Sequence, residues 1–323
     1  MIEAESLSKR YGHLMAVEDV SFKAERGDVL GFLGPNGAGK TTTMRILTGF
    51  MPATDGRAVV AGYDVFERPR EVKRRIGYLP ERPPLYKDMV VRKFLEFVAE
   101  LKGLDRSQRS ASVAKAIDSC GLEEVADRLA GHLSKGFQQR LGIAQAVVHD
   151  PEVLILDEPT IGLDPRQIVE MRDMIRSLAG DRTVILSSHI LAEISQICSR
   201  VVIIHRGKIV AHDSIDVLRK SIQSAERVKL RVRNDDPSLA EALKVLPGVK
   251  SVTKEGEEWL IEAEPDSGAA EAVAKMVLDK GWGLEEVARV QLSLEDVFLH
   301  LVDKAEAGSA KAIAAEKPAE EGQ

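Results

Sequence analysis

Cysteine and aromatic residues are scarce in this chain of 323 residues: it has two Cys, and Phe, Trp and Tyr together make up 4%. Cys120 and Cys198 stand far apart with no metal-type spacing around them, which excludes a disulfide framework and a cysteine zinc site. They read as thiols of a reducing compartment. Cationic excess is missing as well. The 45 Lys and Arg are outnumbered by 51 Asp and Glu, giving a net charge of −6, so no broad basic field marks nucleic acid as a partner. No apolar run approaches the roughly 18–20 residues that cross a bilayer, and the polar start MIEAESLSKRYG does not read as a signal peptide. There is no internal repeat. What is present, 44% hydrophobic and 30% charged residues, is the composition of a core-forming chain long enough for one large domain and a smaller one.

Short β-branched runs alternate with helical patterns over the first two thirds. The runs at 29–33, 153–156 and 183–186 predict buried parallel strands of an α/β sheet covered on both faces. Residues 2–7 and 16–24 predict antiparallel strands, as does 200–212 around an Arg206-Gly207 turn. The stretch 88–120 has helical period and opens a helical insert expected over about 88–150. From about Ser221 the texture changes to a β-α-β-β-α-β order: strands at 228–232, 249–254, 259–264 and 284–291, and helices at 238–246 and 269–280. That order predicts a small α+β, ferredoxin-like domain over 221–303. A closing helix is expected at 293–301 with Ser293 as its N-cap, and the Ala, Glu, Lys, Pro and Gly composition of 304–323 predicts a disordered tail.

The chemistry begins at Gly34-Pro35-Asn36-Gly37-Ala38-Gly39-Lys40-Thr41, which fits G-x-x-x-x-G-K-[ST] between a strand and a helix. Glycines let successive backbone N–H groups converge on phosphates, and the helix N-terminus adds its positive end. Lys40 would bridge the β- and γ-phosphates of a nucleotide while the Thr41 hydroxyl ligates magnesium. The run at 153–156 ends in Asp157-Glu158, and adjacent residues at a strand end face opposite sides. Asp157 would hold the metal and Glu158 face the attacking water. On its own such a pair reads as a solvated strand end; beside a phosphate loop it reads as machinery. His189 closes the 183–188 run at the carboxyl edge of the sheet, where α/β ligands bind. Leu133-Ser134-Lys135-Gly136-Phe137-Gln138-Gln139 opens another helix, with Ser134 as N-cap.

Taken in order, the phosphate loop, the 133–139 signature, Asp157-Glu158, Gly162-Leu163-Asp164-Pro165 and His189 resemble the ATP-binding subunits of ABC transporters over about residues 1–220. Ile76-Gly77-Tyr78-Leu79-Pro80-Glu81 and Ser293-Leu294-Glu295-Asp296-Val297-Phe298-Leu299 resemble the exporter branch, and within it the gliding-motility-associated and multidrug-type subunits. The resemblance implies a P-loop cassette with a helical subdomain, ATP and Mg2+ as cofactors, and hydrolysis of ATP. It gives Tyr11 to the adenine, Gly34, Asn36, Gly37, Ala38, Gly39, Lys40, Thr41 and Thr42 to the phosphates, and Thr41, Asp157 and Glu81 to the metal. Glu158 becomes the general base and His189 the γ-phosphate contact. Ser134 and Gly136 would reach ATP held by a second subunit, with Asp164 at the seam. Implied partners are an integral-membrane permease, approached through the insert near Pro83-Pro84-Leu85-Tyr86, and a second ATP-binding subunit, in a homodimer or heterodimer at the cytoplasmic face of the membrane. The chain departs from the family pattern in having Glu81 where Gln is usual, and Lys135 and Phe137 where Gly and Gln are commonest. The rival expectation is a soluble ABC-type ATPase acting on ribosomes or nucleic acid, but such relatives carry two cassettes or long coiled-coil insertions, and this sequence has one phosphate loop and no sustained heptads.

Overall fold

The computed structural model describes residues 1–180, 182–222, 226–265, 267–290 and 293–315. Two compact units form: Met1–Ile215 together with the chain from Leu301, and Asp216–His300.

In the first unit a six-stranded sheet runs in the order Lys208–Ser214, Arg200–His205, Val29–Leu33, Thr183–Ser188, Val153–Asp157, Ile76–Leu79. All neighbours are parallel except the first pair, which the Arg206-Gly207 turn joins antiparallel. Every residue of Val153–Asp157 and Thr183–Ser188 is buried, as expected of strands covered on both faces. The carboxyl ends line up: Leu33 pairs with Ser188, and Asp157 with Ser187. A four-stranded antiparallel sheet, Leu14–Ala24, Ile2–Tyr11, Asp55–Val60 and Tyr63–Asp64, shares its core with this one. Phe22 and Phe32 meet in that core at 5.4 Å, and Met44, Ile46 and Leu47 of the helix Lys40–Leu47 are buried within it.

The strands Asp55–Val60, Tyr63–Asp64 and Ile76–Leu79 and the helix Pro69–Arg75 lie outside the elements predicted from the sequence. Glycine explains two of these. Gly56 (φ 84°) bends its strand where a Cβ would collide with the Ser6 carbonyl, and Gly77 leaves room for the backbone of Ala146. Short strands interrupted in this way show no period-2 signal. The insert forms three helices, Val91–Leu101, Arg106–Ser119 and Lys135–Val147, the first burying Val91, Phe94, Leu95 and Val98 at helical spacing.

Lys102 and His149 pack against the end of this insert. Both donate to the Ile76 carbonyl, at 2.9 and 3.1 Å. Burial and the neighbouring Lys102 lower His149 from 6.5 to about 4. A base depressed in the folded state contributes stability that is complete above pH 6.5 and lost as pH falls towards 4. Over that window the group should remove about 3 kcal/mol. Urea midpoints at pH 7 and pH 4.5 should therefore fall less in His149→Leu than in wild type; equal falls would remove His149 from the acid limb.

The second unit is an antiparallel sheet in the order Val249–Glu255, Glu258–Ala263, Glu226–Val232, Leu284–Val290, with helices Leu239–Lys244 and Ala269–Asp279. This is the split βαβ arrangement. Alternation decides its faces: Val228, Leu230, Trp259 and Ile261 are buried with Leu239, Leu243, Val273 and Val277 of the helices. The other face carries ion pairs across strands, Arg227–Glu262 at 3.1 Å and Lys229–Glu258 at 2.7 Å. Ser293 and Asp296 cap the closing helix reciprocally, Asp296 N–H to Ser293 Oγ at 3.1 Å and Ser293 N–H to Asp296 Oδ2 at 3.0 Å. That helix runs Leu294–Ala315, so residues 304–315, expected as disordered tail, are helical. Extending an existing helix through Ala-rich sequence needs no new nucleus. Residues 316–323, the rest of the expected tail, lie outside the described residues.

Candidate functional site

The strand Val29–Leu33 delivers the chain into the phosphate loop, and the helix Lys40–Leu47 carries it away. Gly37 and Gly39 have φ of 79° and 109°, a region open mainly to glycine. Gly34 is required by space instead, since a Cβ there would strike the Ile204 carbonyl oxygen. The neighbouring turn braces the loop from behind, Gly207 N–H donating to the Ala38 carbonyl at 2.9 Å. Lys40 is 5% exposed. Its Nζ donates to the carbonyls of Gly34 at 2.7 Å and Pro35 at 3.2 Å, and lies 3.2 Å from Glu158 Oε1.

Next to the loop, the aligned ends of Val153–Asp157 and Thr183–Ser188 place two acids and a histidine. Ser187 Oγ donates to Asp157 Oδ1 at 2.6 Å and accepts from the Glu158 N–H at 3.0 Å. Glu158 has φ of 51°, so the chain turns at this residue. His189 Nδ1 donates to Glu158 Oε2 at 2.8 Å. Glu158 is thus held between Lys40 on one oxygen and His189 on the other. Burial raises the pKa of Asp157 above the usual carboxylate range; the Ser187 and Thr41 hydroxyls oppose it, and the charges of Glu158 and Glu81 reinforce it.

A cavity of about 430 Å3 gathers Tyr11, Asn36, Gly37, Gly39, Lys40, Thr41, Thr42, Glu81 and Glu158. Gly34 and the buried Ala38 form its supporting loop, Asp157 is fully buried, and His189 touches the site through Glu158. Ser134 and Gly136 do not line it. Ser134 Oγ accepts from the Phe137 N–H at 3.4 Å, and Gly136 abuts the Gln167 carboxamide, where a Cβ would come within 3.0 Å. Gln167 N–H in turn donates to Asp164 Oδ1 at 2.9 Å, so the signature and the 162–165 segment adjoin each other rather than the cavity. Sequence reasoning misses Ser187; the signal was the pair of hydroxyls at the end of an otherwise apolar strand. A larger cavity, about 650 Å3, opens between Met51 and Phe66, but it holds none of the phosphate-binding backbone, and its Arg57–Asp64 pair at 2.7 Å is self-compensated.

The donor set suits a hard divalent ion. Asp157 Oδ2 is buried and accepts no hydrogen bond among the described residues. Those residues contain no group of three or more His, Cys, Asp or Glu able to hold a metal by themselves. A hydroxyl and one or two carboxylates, completed by phosphate oxygens, is the ligation Mg2+ takes. A glycine loop at a helix N-terminus, with a lysine and paired acids at the carboxyl ends of a parallel sheet, defines a P-loop nucleotide-binding cassette.

Comparison with known proteins places the cassette more closely. Residues 17–161 match the ABC transporter family, and residues 214–302 match the C-terminal domain of DrrA1-3-like ATP-binding proteins. The bacitracin transport ATP-binding protein BcrA of Bacillus licheniformis is 36% identical, covering 94% of this chain and 97% of its own length. The daunorubicin resistance ATP-binding protein DrrA2 of Streptomyces coeruleorubidus is 34% identical, with coverages of 93% and 94%. Among solved structures, an ATP-binding subunit of an ABC transporter aligns with a TM-score of 0.63 and 31% identity over 68% of this chain and 92% of its own. A dimeric bacterial ABC transporter cassette, MJ0796, shares the fold at a TM-score of 0.61 and 21% identity, over 67% of this chain and 99% of its own. The chain belongs to the ATP-binding subunits of ABC transporters, in the branch that carries the DrrA-type C-terminal domain. These relatives are ATP-binding proteins of a bacitracin transport and a daunorubicin resistance system, and they give no support to the rival expectation of action on ribosomes or nucleic acid. Among the described residues no helix is long and apolar enough to cross a membrane.

Proposed function

We propose that this chain hydrolyses ATP with Mg2+ in a head-to-tail pair of ATP-binding subunits, held at the cytoplasmic face of the membrane by an integral-membrane permease. The observation that carries the reading is Glu158, buried between Lys40 and His189 on the wall of the 430 Å3 cavity, beside Asp157, whose Oδ2 has no hydrogen-bond partner among the described residues. Phosphoryl transfer needs mainly positioning and charge neutralisation. Backbone N–H groups of the loop and Lys40 bind the triphosphate, and Tyr11 lies at the rim for the adenine. Thr41, Asp157 and Glu81 would hold magnesium, which when bound neutralises phosphate charge. Glu158 takes the proton of the attacking water, and His189 fixes the orientation of its carboxylate. The separation of Ser134 and Gly136 from this cavity supports their action on ATP held by the other subunit, either a second copy of this chain or a related one. For the permease, the segment after Glu81 offers Tyr86, 57% exposed and packed edge-on against Phe94 and Phe97.

A composite site makes a complementation test decisive. Lys40→Ala disables the loop and Ser134→Arg disables the opposite contact, so each chain alone should be inactive. Mixed, they form hetero-pairs in which one site joins an intact loop to an intact signature, and phosphate release should return. No recovery on mixing, with both chains folded and pairing, overturns the shared site.

A further inference from the structure

Near the acids lies a further buried carboxylate that the chemistry above does not use. Glu193, on the helix Leu191–Ile197, is 8% exposed. Its Oε2 accepts from Thr160 Oγ1 at 2.6 Å and from Ser188 Oγ at 3.3 Å. Ser188 Oγ in turn accepts from the Ile190 N–H at 3.0 Å, and Oε1 of Glu193 has no partner among the described residues. Thr160 and Ser188 are buried too.

The positions of the two donors give this network its meaning. Thr160 stands two residues after Glu158, on the turn where the Ile161 N–H donates to the Glu158 carbonyl at 3.2 Å. Ser188 stands one residue before His189. One carboxylate oxygen therefore ties together the two segments that carry Glu158 and His189, whose side chains meet at 2.8 Å. No Lys, Arg or His among the described residues pairs with Glu193. Burying a carboxylate on hydroxyls alone is unfavourable compared with an apolar side chain of similar volume. Stability by itself gives no account of it, whereas holding two loops at a fixed separation does: the Thr160 bond, at 2.6 Å, has the short length of a hydrogen bond to a charged acceptor, and the longer Ser188 bond adds the second segment to the same oxygen.

We infer that Glu193 is a positioning residue for hydrolysis: through Thr160 and Ser188 it sets the distance between Glu158 and His189. The inference rests on the catalytic reading of those two residues. Glu193 touches neither the phosphate loop nor Lys40, so its loss leaves nucleotide binding in place and acts on turnover.

The test compares kcat, KM for ATP and equilibrium nucleotide affinity in the full chain. Glu193→Ala should lower kcat at least tenfold, with KM and affinity within about twofold of wild type. Thr160→Val, nearly isosteric, should do the same, and Thr160→Ser should restore turnover. The double variant Glu193→Ala/Thr160→Val should be no slower than the worse single variant, because both break one link. Unchanged kcat in Thr160→Val, additive losses in the double variant, or parallel loss of affinity and kcat overturns the inference. If Glu193→Ala does not fold, the Thr160→Val and Thr160→Ser pair decides. Glu158→Gln measured alongside separates the two levels: a fully active Glu158→Gln sinks the catalytic reading itself, and an inactive one beside a fully active Thr160→Val sinks the role of Glu193 alone.

Discussion

Glu158→Gln should bind ATP as tightly as wild type and release phosphate roughly 10²–10⁴-fold more slowly, the usual span for losing a general base. The amide fills the same volume, so the contact with His189 and the turn at residue 158 persist. What disappears is the negative charge that pairs with Lys40 at 3.2 Å and the basicity that takes up a proton from water. Relieved of that pairing, Lys40 should favour phosphate at least as well as before. With hydrolysis blocked, the ATP-bound pair should accumulate and be visible by light scattering as a doubling of mass on adding ATP. Steady-state turnover equal to wild type would remove Glu158 from the reaction.

Lys40→Ala should weaken ATP binding by roughly 10–100-fold, the worth of one hydrogen bond to a charged group. Calorimetric titration reads it directly. The same substitution leaves Glu158, whose side chain is 7% exposed, without its ammonium partner and with the His189 hydrogen bond still in place. Breaking a buried pair from one side costs about 3–5 kcal/mol where no partner remains. Some loss of thermal stability is therefore expected alongside the loss of affinity. Adding Glu158→Gln to Lys40→Ala should recover stability and leave affinity low. Wild-type affinity in Lys40→Ala would count against the phosphate loop as the binding element.

Most of this architecture was legible in the residues because its signals are local. Continuous apolar runs flanked by helical patterns announce buried parallel strands, and the glycine loop needs only its own eight residues and a strand before it. The ferredoxin-like order in the C-terminal unit followed from alternation, with Val228, Leu230 and Val232 facing one way and Arg227, Lys229 and Arg231 the other. What escaped depends on partners distant in sequence. Ile76–Leu79 is a strand because the Ala146 backbone and Val153–Asp157 accept it, and Gly77 hides the pattern. Ser187 and Glu193 are joined to the site by bonds to Asp157 and Thr160, some 30 residues away, and no spacing rule connects them. The closing helix was cut short for a different reason: a polar, Ala-rich segment has no hydrophobic face to announce it, yet it prolongs a helix already formed.

The backbone at Glu158 asks for one residue and the proposed reaction for another. A φ of 51° is a conformation glycine adopts freely, while a side chain there is strained by about 1–3 kcal/mol. The acid also sits in a place from which water is largely excluded. On grounds of folding alone, position 158 would drift towards glycine, and the molecule would gain robustness as it fell silent. The carboxylate is a local concession of durability to work, and a screen for heat-resistant variants that ignored turnover would be expected to discard it early.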